Sequence, residues 1–171
     1  EGLRGFIAQG VNEKVTETGK VFNYSSIQTD ILGLIVQEAC GMPIAEFFEQ
    51  EFWSKLGAEK PAGIGTDGFG QPIMQGAISM TLPDFARSAM LVLNKGKAHS
   101  GVQIIDSAFF DDLVTPDADL QAAFKDEYKE LLSPTGNYRS QFWVLDATEG
   151  KFMMVGVYGQ LAYFDLSNDF A

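Results

Sequence analysis

The sequence is poor in the residues that make the commonest covalent and metal frameworks. Cys40 and His99 are single representatives of their types, and 12 Lys+Arg stand against 23 Asp+Glu. One cysteine excludes an intramolecular disulfide. With one histidine beside it, a zinc site would need carboxylates to complete it; Cys40 reads instead as a small buried hydrophobe near a helix end. The formal net charge of −11 offers no positive field to a phosphate backbone, which excludes nucleic acid as a partner. The acidity serves solubility. No apolar run approaches the roughly 20 residues that span a bilayer, so no membrane span is expected. The chain starts at Glu1 with no charged segment leading into an apolar one, so no signal peptide is legible and the localisation is unknown.

What remains is a composition for packing. Hydrophobic residues make up 46% and charged residues 20%, which excludes a disordered chain. A chain of 171 residues can bury about 70% of its unfolded surface in one core. Both ends read as cut from something longer, because nothing follows the apolar run that closes at Asn168–Ala171. The expectation is therefore one partial domain over 1–171.

Residues 1–23 are glycine-rich and polar, with an apolar patch at Leu3, Phe6 and Ile7. Ser25 with Gln28 fits a capping box, and Ile27, Ile31, Leu34, Ile35 and Ala39 then recur at helical spacing until Gly41. Pro43 suits a second helix start, with Ile44, Phe47, Phe48 and Phe52 inward. Residues 57–76 carry six glycines and two prolines and read as a long loop. Thr81 with Asp84 caps a helix to about Leu93, with Phe85, Ala89, Val92 and Leu93 inward. Asp106 caps a short helix through Leu113, and a weaker period follows through Leu120, Phe124, Tyr128 and Leu131. Pro134–Asn137 is a turn. Tyr138–Leu145, Phe152–Val157 and Leu161–Leu166 are aromatic and β-branched and read as a strand meander. Helices and loops over 1–134 followed by antiparallel strands over 135–171 make an α+β order.

Three stretches resemble the serine β-lactamase and penicillin-binding-protein superfamily, closest to its class C-like branch of esterases and amide hydrolases. Phe22-Asn23-Tyr24-Ser25-Ser26, leading into Thr29-Asp30-Ile31-Leu32-Gly33, resembles the family's Tyr-x-Asn segment and the helix after it. Gly76-Ala77-Ile78-Ser79-Met80-Thr81, leading into Asp84-Phe85-Ala86-Arg87, resembles a helix start of the same family. Gly156-Val157-Tyr158-Gly159-Gln160, with Tyr163 and Asp165 beyond, resembles the cleft strand that carries Lys-Thr-Gly or a His variant. The resemblance covers residues 22–166. It implies the C-terminal part of a catalytic domain. In relatives the nucleophile is the serine of a Ser-x-x-Lys motif lying N-terminal to the Tyr segment, and no serine in this chain has a lysine three residues later.

Acyl transfer needs a nucleophile, a proton shuttle and donors aimed at the oxyanion. The resemblance makes Tyr24 the shuttle. An ordinary phenol has a pKa of about 10, so phenolate needs a nearby cation, and the family's motif lysine is missing here. Without the resemblance, Tyr24 is a tyrosine packed at a helix N-terminus. Ser26 replaces the family's Asn and offers a hydroxyl to substrate, while Ser25 or Ser26 equally suits a helix cap. Two registers are open for the third stretch. In the preferred one, Gly156 matches the glycine of Lys-Thr-Gly and lets substrate approach the strand edge, the Val157 N–H is an oxyanion donor, and Tyr158 is a cleft wall. In the other, Tyr158 replaces the family's Lys or His. A plain glycine-punctuated strand and turn is the alternative to both. His99 reads as a solvated surface residue, Asp111, Asp112, Asp117 and Asp119 as surface charge, and Gly63, Gly65, Gly68 and Gly70 as a loop without the P-loop pattern. The resemblance implies a serine acyl-enzyme that cleaves an ester or amide with no metal or organic cofactor. The fragment alone is then expected to be inactive. The other expectation is a non-catalytic module that forms a homodimer through an exposed sheet edge or apolar face.

Overall fold

A computed structural model describes residues 2–10, 16–124 and 132–171. The chain divides into two compact units, one formed by residues 1–15 and 24–87 and the other by residues 16–23 and 88–171. The class is α+β, with helices first and an antiparallel meander last, as expected.

The first unit opens with α1, Gly2–Gly10, in the stretch that reads as glycine-rich and polar. Its start is held from far along the chain: the Leu3 amide donates to Asp67 Oδ2 at 2.7 Å, and the Arg4 guanidinium reaches Gln71 and Glu38. A cap supplied 64 residues away leaves no local signature, which is why propensity alone misses this helix. The helix α2 runs Ser26–Cys40 and ends at Gly41, whose φ of +65° is the left-handed stop expected there. The expected capping box does not form. Ser25 sits at the N-cap position without a side-chain cap bond, and Gln28 reaches it only by a backbone bond, N–H to the Ser25 carbonyl at 3.1 Å. The expected inward face is also shifted. Asp30 and Gly33 are the buried residues of α2, while Ile35, Ala39 and Cys40 are exposed. Cys40 is therefore not a buried hydrophobe: it is the last residue of α2, two turns beyond Gly33 on the same face, and is exposed.

Next come α3 (Ile44–Phe48), a π-helical turn (Glu49–Trp53) and α4 (Ser54–Leu56). In the π turn the Ser54 amide donates to the Glu49 carbonyl, and the wider turn buries Trp53 beside Phe48, which also stacks on Phe52. The glycine-rich stretch is more ordered than a loop: β1 (Gly63–Ile64) pairs antiparallel with β2 (Ile78–Ser79). The helix α5, Leu82–Leu93, then continues from the first unit into the second.

The second unit is built on α6 (Ser107–Leu113), capped by Asp106, α7 (Ala118–Ala123), capped by Asp117, and a four-stranded meander. The expected continuation of α7 through Tyr128 and Leu131 lies outside the described residues. The strands are β3 (Asn137–Arg139), β4 (Phe142–Asp146), β5 (Lys151–Val155) and β6 (Leu161–Asp165), paired in sequence order. The stretch expected as one strand over Tyr138–Leu145 is a hairpin. Ser140 and Gln141 turn with φ of 50° and 70°, the geometry of a two-residue primed turn without its usual Asn-Gly signature. Register places Asn137, Val144, Phe152 and Phe164 in one cross-strand row, and all four are fully buried. That row meets Val92, Phe110 and Leu113 in the apolar core. The alternate row carries Tyr138, Trp143, Met153 and Tyr163, and Phe22 and Phe124 pack on Trp143. Leu91 is buried as well, although the helical period of α5 points to Ala89 instead.

Candidate functional site

Tyr24 and Ser26 flank the N-cap residue Ser25 at the start of α2 in the first unit. Tyr24 is 52% exposed, and Ser26 is exposed. The helix that carries them is fixed by Asp30, one helical turn beyond Ser26 and fully buried. Its Oδ1 accepts from the Met74 amide at 2.7 Å and the Gln75 amide at 3.2 Å, and its Oδ2 accepts from Gln75 Nε2 at 2.9 Å. Three residues further on, a Cβ at Gly33 would lie 2.6 Å from Met74 Cγ, so a glycine there lets this segment lie against the helix.

The second resembling stretch builds a similar carboxylate lock. Asp84 accepts from the Thr81 hydroxyl at 2.6 Å, from the Glu59 amide at 2.8 Å and from the Lys60 amide at 3.2 Å, and Arg87 bridges it to Glu59. The Thr81 hydroxyl first, then the Glu59 amide, hold the Asp84 carboxyl below the usual carboxylate range. Asp67 is held low in the same way, chiefly by the Leu3 amide. These motif residues fasten the chain, and the Thr81–Asp84 cap expected from sequence is present.

Gly156, Val157 and Tyr158 lie in the second unit, in the turn between β5 and β6. The strand expected to run through Val157 stops at Val155. The Gly156 amide donates to the Gln160 carbonyl at 2.7 Å and the Gly159 amide to the Gly156 carbonyl at 3.1 Å, closing a three-residue loop with Gly159 at φ +86°. The Val157 and Tyr158 side chains are 94% and 91% exposed. The Tyr158 amide donates to Gln160 Oε1, and a Cβ at Gly156 would lie 2.5 Å from that oxygen. The space over Gly156 is thus taken by the Gln160 side chain. The sequence reading reserves that space for substrate.

The structure therefore brings Tyr24 together with Ser26, and Gly156 with Val157 and Tyr158, in separate units. The other expectations resolve simply. His99 is exposed, and Asp111 and Asp112 pair with Lys95 and Arg139. No group of His, Cys, Asp and Glu suited to a metal occurs among the described residues. No single helix among them is long and apolar enough to cross a membrane. One threonine does precede a lysine by three residues, Thr148 to Lys151, but it lies in the β4–β5 turn and Lys151 pairs with Glu149, which raises the lysine pKa. Asp30 and Gln75 escape the sequence reading as site-shaping residues. The one available signal is a carboxylate set inside an otherwise apolar helical run.

No family profile matches the chain. A 6-aminohexanoate-dimer hydrolase of Paenarthrobacter ureafaciens is 28% identical over 148 residues, which are 86% of this chain and 37% of that protein. A solved structure provisionally described as a 6-aminohexanoate-dimer hydrolase from Bacillus anthracis matches 91% of this chain and 38% of its own, at 28% identity and a TM-score of 0.73. A provisionally assigned β-lactamase from Bacteroides dorei shares the fold, with a TM-score of 0.71 at 17% identity over 99% of this chain and 54% of its own. The chain spans about two fifths of the length of the hydrolases it matches. In fold and in sequence, this polypeptide is similar to a part of β-lactamase-like superfamily hydrolases.

Proposed function

We propose that this chain supplies the acid–base side of a serine hydrolase that opens an ester or a linear amide through an acyl-enzyme. The observation that carries the reading is the start of α2. There a half-exposed Tyr24 stands two residues before Ser26 on a helix anchored by a buried carboxylate, within a sequence similar to hydrolases named for the 6-aminohexanoate dimer. Tyr24 takes and returns the nucleophile's proton, Ser26 and Tyr158 contact substrate, and the Val157 amide beside Gly156 donates to the oxyanion. The serine and the lysine that lowers the phenol pKa come from sequence outside this chain, so the chain by itself turns over nothing.

The test supplies the missing part. The chain is joined to, or co-expressed with, the Ser-x-x-Lys-bearing remainder of a similar hydrolase, and p-nitrophenyl acetate hydrolysis is followed. The chain alone should match buffer, and the joined protein should exceed it. Tyr24→Phe should then lower kcat by about 10²-fold or more, the worth of a positioned proton shuttle. Hydrolysis by the isolated chain that Tyr24→Phe abolishes would refute the division of labour.

A second reading is favoured by one feature, the exposed apolar tip formed by Val155, Val157, Tyr158 and Leu161 at the end of β5 and β6. Two copies joined there, or along the outer edge of β6, would form a homodimer. A concentration-independent monomer in size-exclusion chromatography with light scattering removes this reading.

A further inference from the structure

We infer that Gln160 is a positioning residue of this site, whose side-chain carbonyl holds the turn that presents the Val157 N–H to the oxyanion. The inference rests on the oxyanion role proposed above for Val157 and deepens it.

The turn is closed by the Gly159 N–H, which donates to the Gly156 carbonyl at 3.1 Å, so Val157 and Tyr158 are its central residues. A peptide is planar and trans, and an N–H therefore points opposite to the carbonyl that precedes it. With the Gly156 carbonyl turned in toward Gly159, the Val157 N–H points out of the turn. The amides on either side are both taken by Gln160. The Gly156 N–H donates to its main-chain carbonyl at 2.7 Å, and the Tyr158 N–H to its Oε1 at 3.2 Å. Of the amides from Gly156 to Gly159, that of Val157 alone has no hydrogen-bond partner among the described residues.

Gln160 is exposed, yet its side chain folds back over the turn instead of trailing in water. A donating N–H fixes the carbonyl of the side-chain amide toward Tyr158 and turns the NH2 away. An ideal Cβ at Gly156 would lie 2.5 Å from Oε1 and 3.0 Å from the Gln160 Cβ, so the glycine makes room for this fold. The bond removes the Tyr158 N–H as a rival donor and pins the Val157–Tyr158 peptide. Both peptide planes flanking Val157 are then fixed, one by Gly159 and the other by Gln160. A donor held in this way needs no rearrangement as charge builds on the substrate oxygen, which is what makes an oxyanion contact effective.

Two measurements test this. In the isolated 15N-labelled chain, solvent-exchange NMR should show the Tyr158 amide about 3- to 10-fold slower than in Gln160→Ala, the range of one hydrogen bond. In the joined protein, p-nitrophenyl acetate is compared with its thionoester, whose sulfur accepts hydrogen bonds poorly. Gln160→Ala should lower kcat for the ester by about 10-fold, less than the loss of an oxyanion donor outright, with KM and the thionoester rate little changed. A general loosening would slow both substrates alike. Gly156→Ala, which displaces the same side chain, should reproduce that result. Gln160→Glu keeps an acceptor for Tyr158, so that amide should stay slow. Its charge beside the forming oxyanion should still lower kcat, and the ratio to wild type should recover as pH falls through the ordinary Glu range, about 4.3. If the joined wild type does not favour ester over thionoester, the oxyanion role of Val157 falls and the inference falls with it. If it does, and neither Gln160 variant moves that preference, the role stands and the inference alone is overturned.

Discussion

The two units hold themselves together by different means. The second has a continuous apolar core in which Val144, Phe152 and Phe164 face Val92, Phe110 and Leu113. In the first, the buried apolar residues among those described are Ile44, Trp53 and Leu56, and much of the fastening falls to carboxylates. Asp30 holds Met74 and Gln75, Asp67 holds the start of α1, and Asp84 holds Glu59 and Lys60. Apolar burial is non-directional and tolerates small shifts. A carboxylate accepting two or three amide N–H groups fixes a loop in one position.

The comparison can be broken at its strongest point first. Phe164→Ala or Phe152→Ala should cost about 3–5 kcal/mol, because each removes a fully buried ring from the core row. Urea unfolding monitored through Trp143 reads this, and a loss under 1 kcal/mol would deny the row its role. Asp30→Ala should cost about 1–3 kcal/mol by leaving two backbone donors without their acceptor. Its loss of hydrogen-exchange protection should be confined to residues 71–76 and the start of α2.

Acid should separate the units further. The folded carboxyls of Asp67 and Asp84 lie below their ordinary value. Their contribution is therefore complete above the unfolded pKa of about 3.9 and is lost as pH falls from there through the folded values. Hydrogen exchange at decreasing pH should open the α1 start and the Glu59–Lys60 segment before the Phe152–Phe164 core. Asp146, held low mainly by the Glu149 amide, and Asp165, held low mainly by the Ser167 hydroxyl, should loosen only their turns. The smallest effect is expected at the β5–β6 tip. Val157→Ala should change stability by no more than about 0.5 kcal/mol, since the side chain is almost wholly exposed and the proposed role belongs to the backbone amide. A larger loss would mean that the tip is packed.

Much of this architecture was legible beforehand. Gly41, Asp106 and Thr81 with Asp84 mark their helix ends through local bonds that the neighbouring residues announce. The meander follows from its alternating aromatic and β-branched residues. The misses share a cause. The helix α1 depends on Asp67, and the buried face of α2 on the Met74–Gln75 segment. The Ser140–Gln141 turn adopts positive φ without the residues that usually signal it, because cross-strand pairing around it outweighs the local preference.

The sequence by itself therefore determined the α+β order, the kinship with β-lactamase-like hydrolases and the residue types available for acyl transfer, because these rest on local pattern and motif. Tertiary structure alone decided that Asp30 is a lock, that Gln160 fills the space over Gly156, and that Gln75 donates its side-chain amide to Asp30. Each of those outcomes is a bond or a close contact between a side chain and a segment whose approach no nearby residue specifies, or, at Gly156, the closure of a turn that could as well have remained a strand.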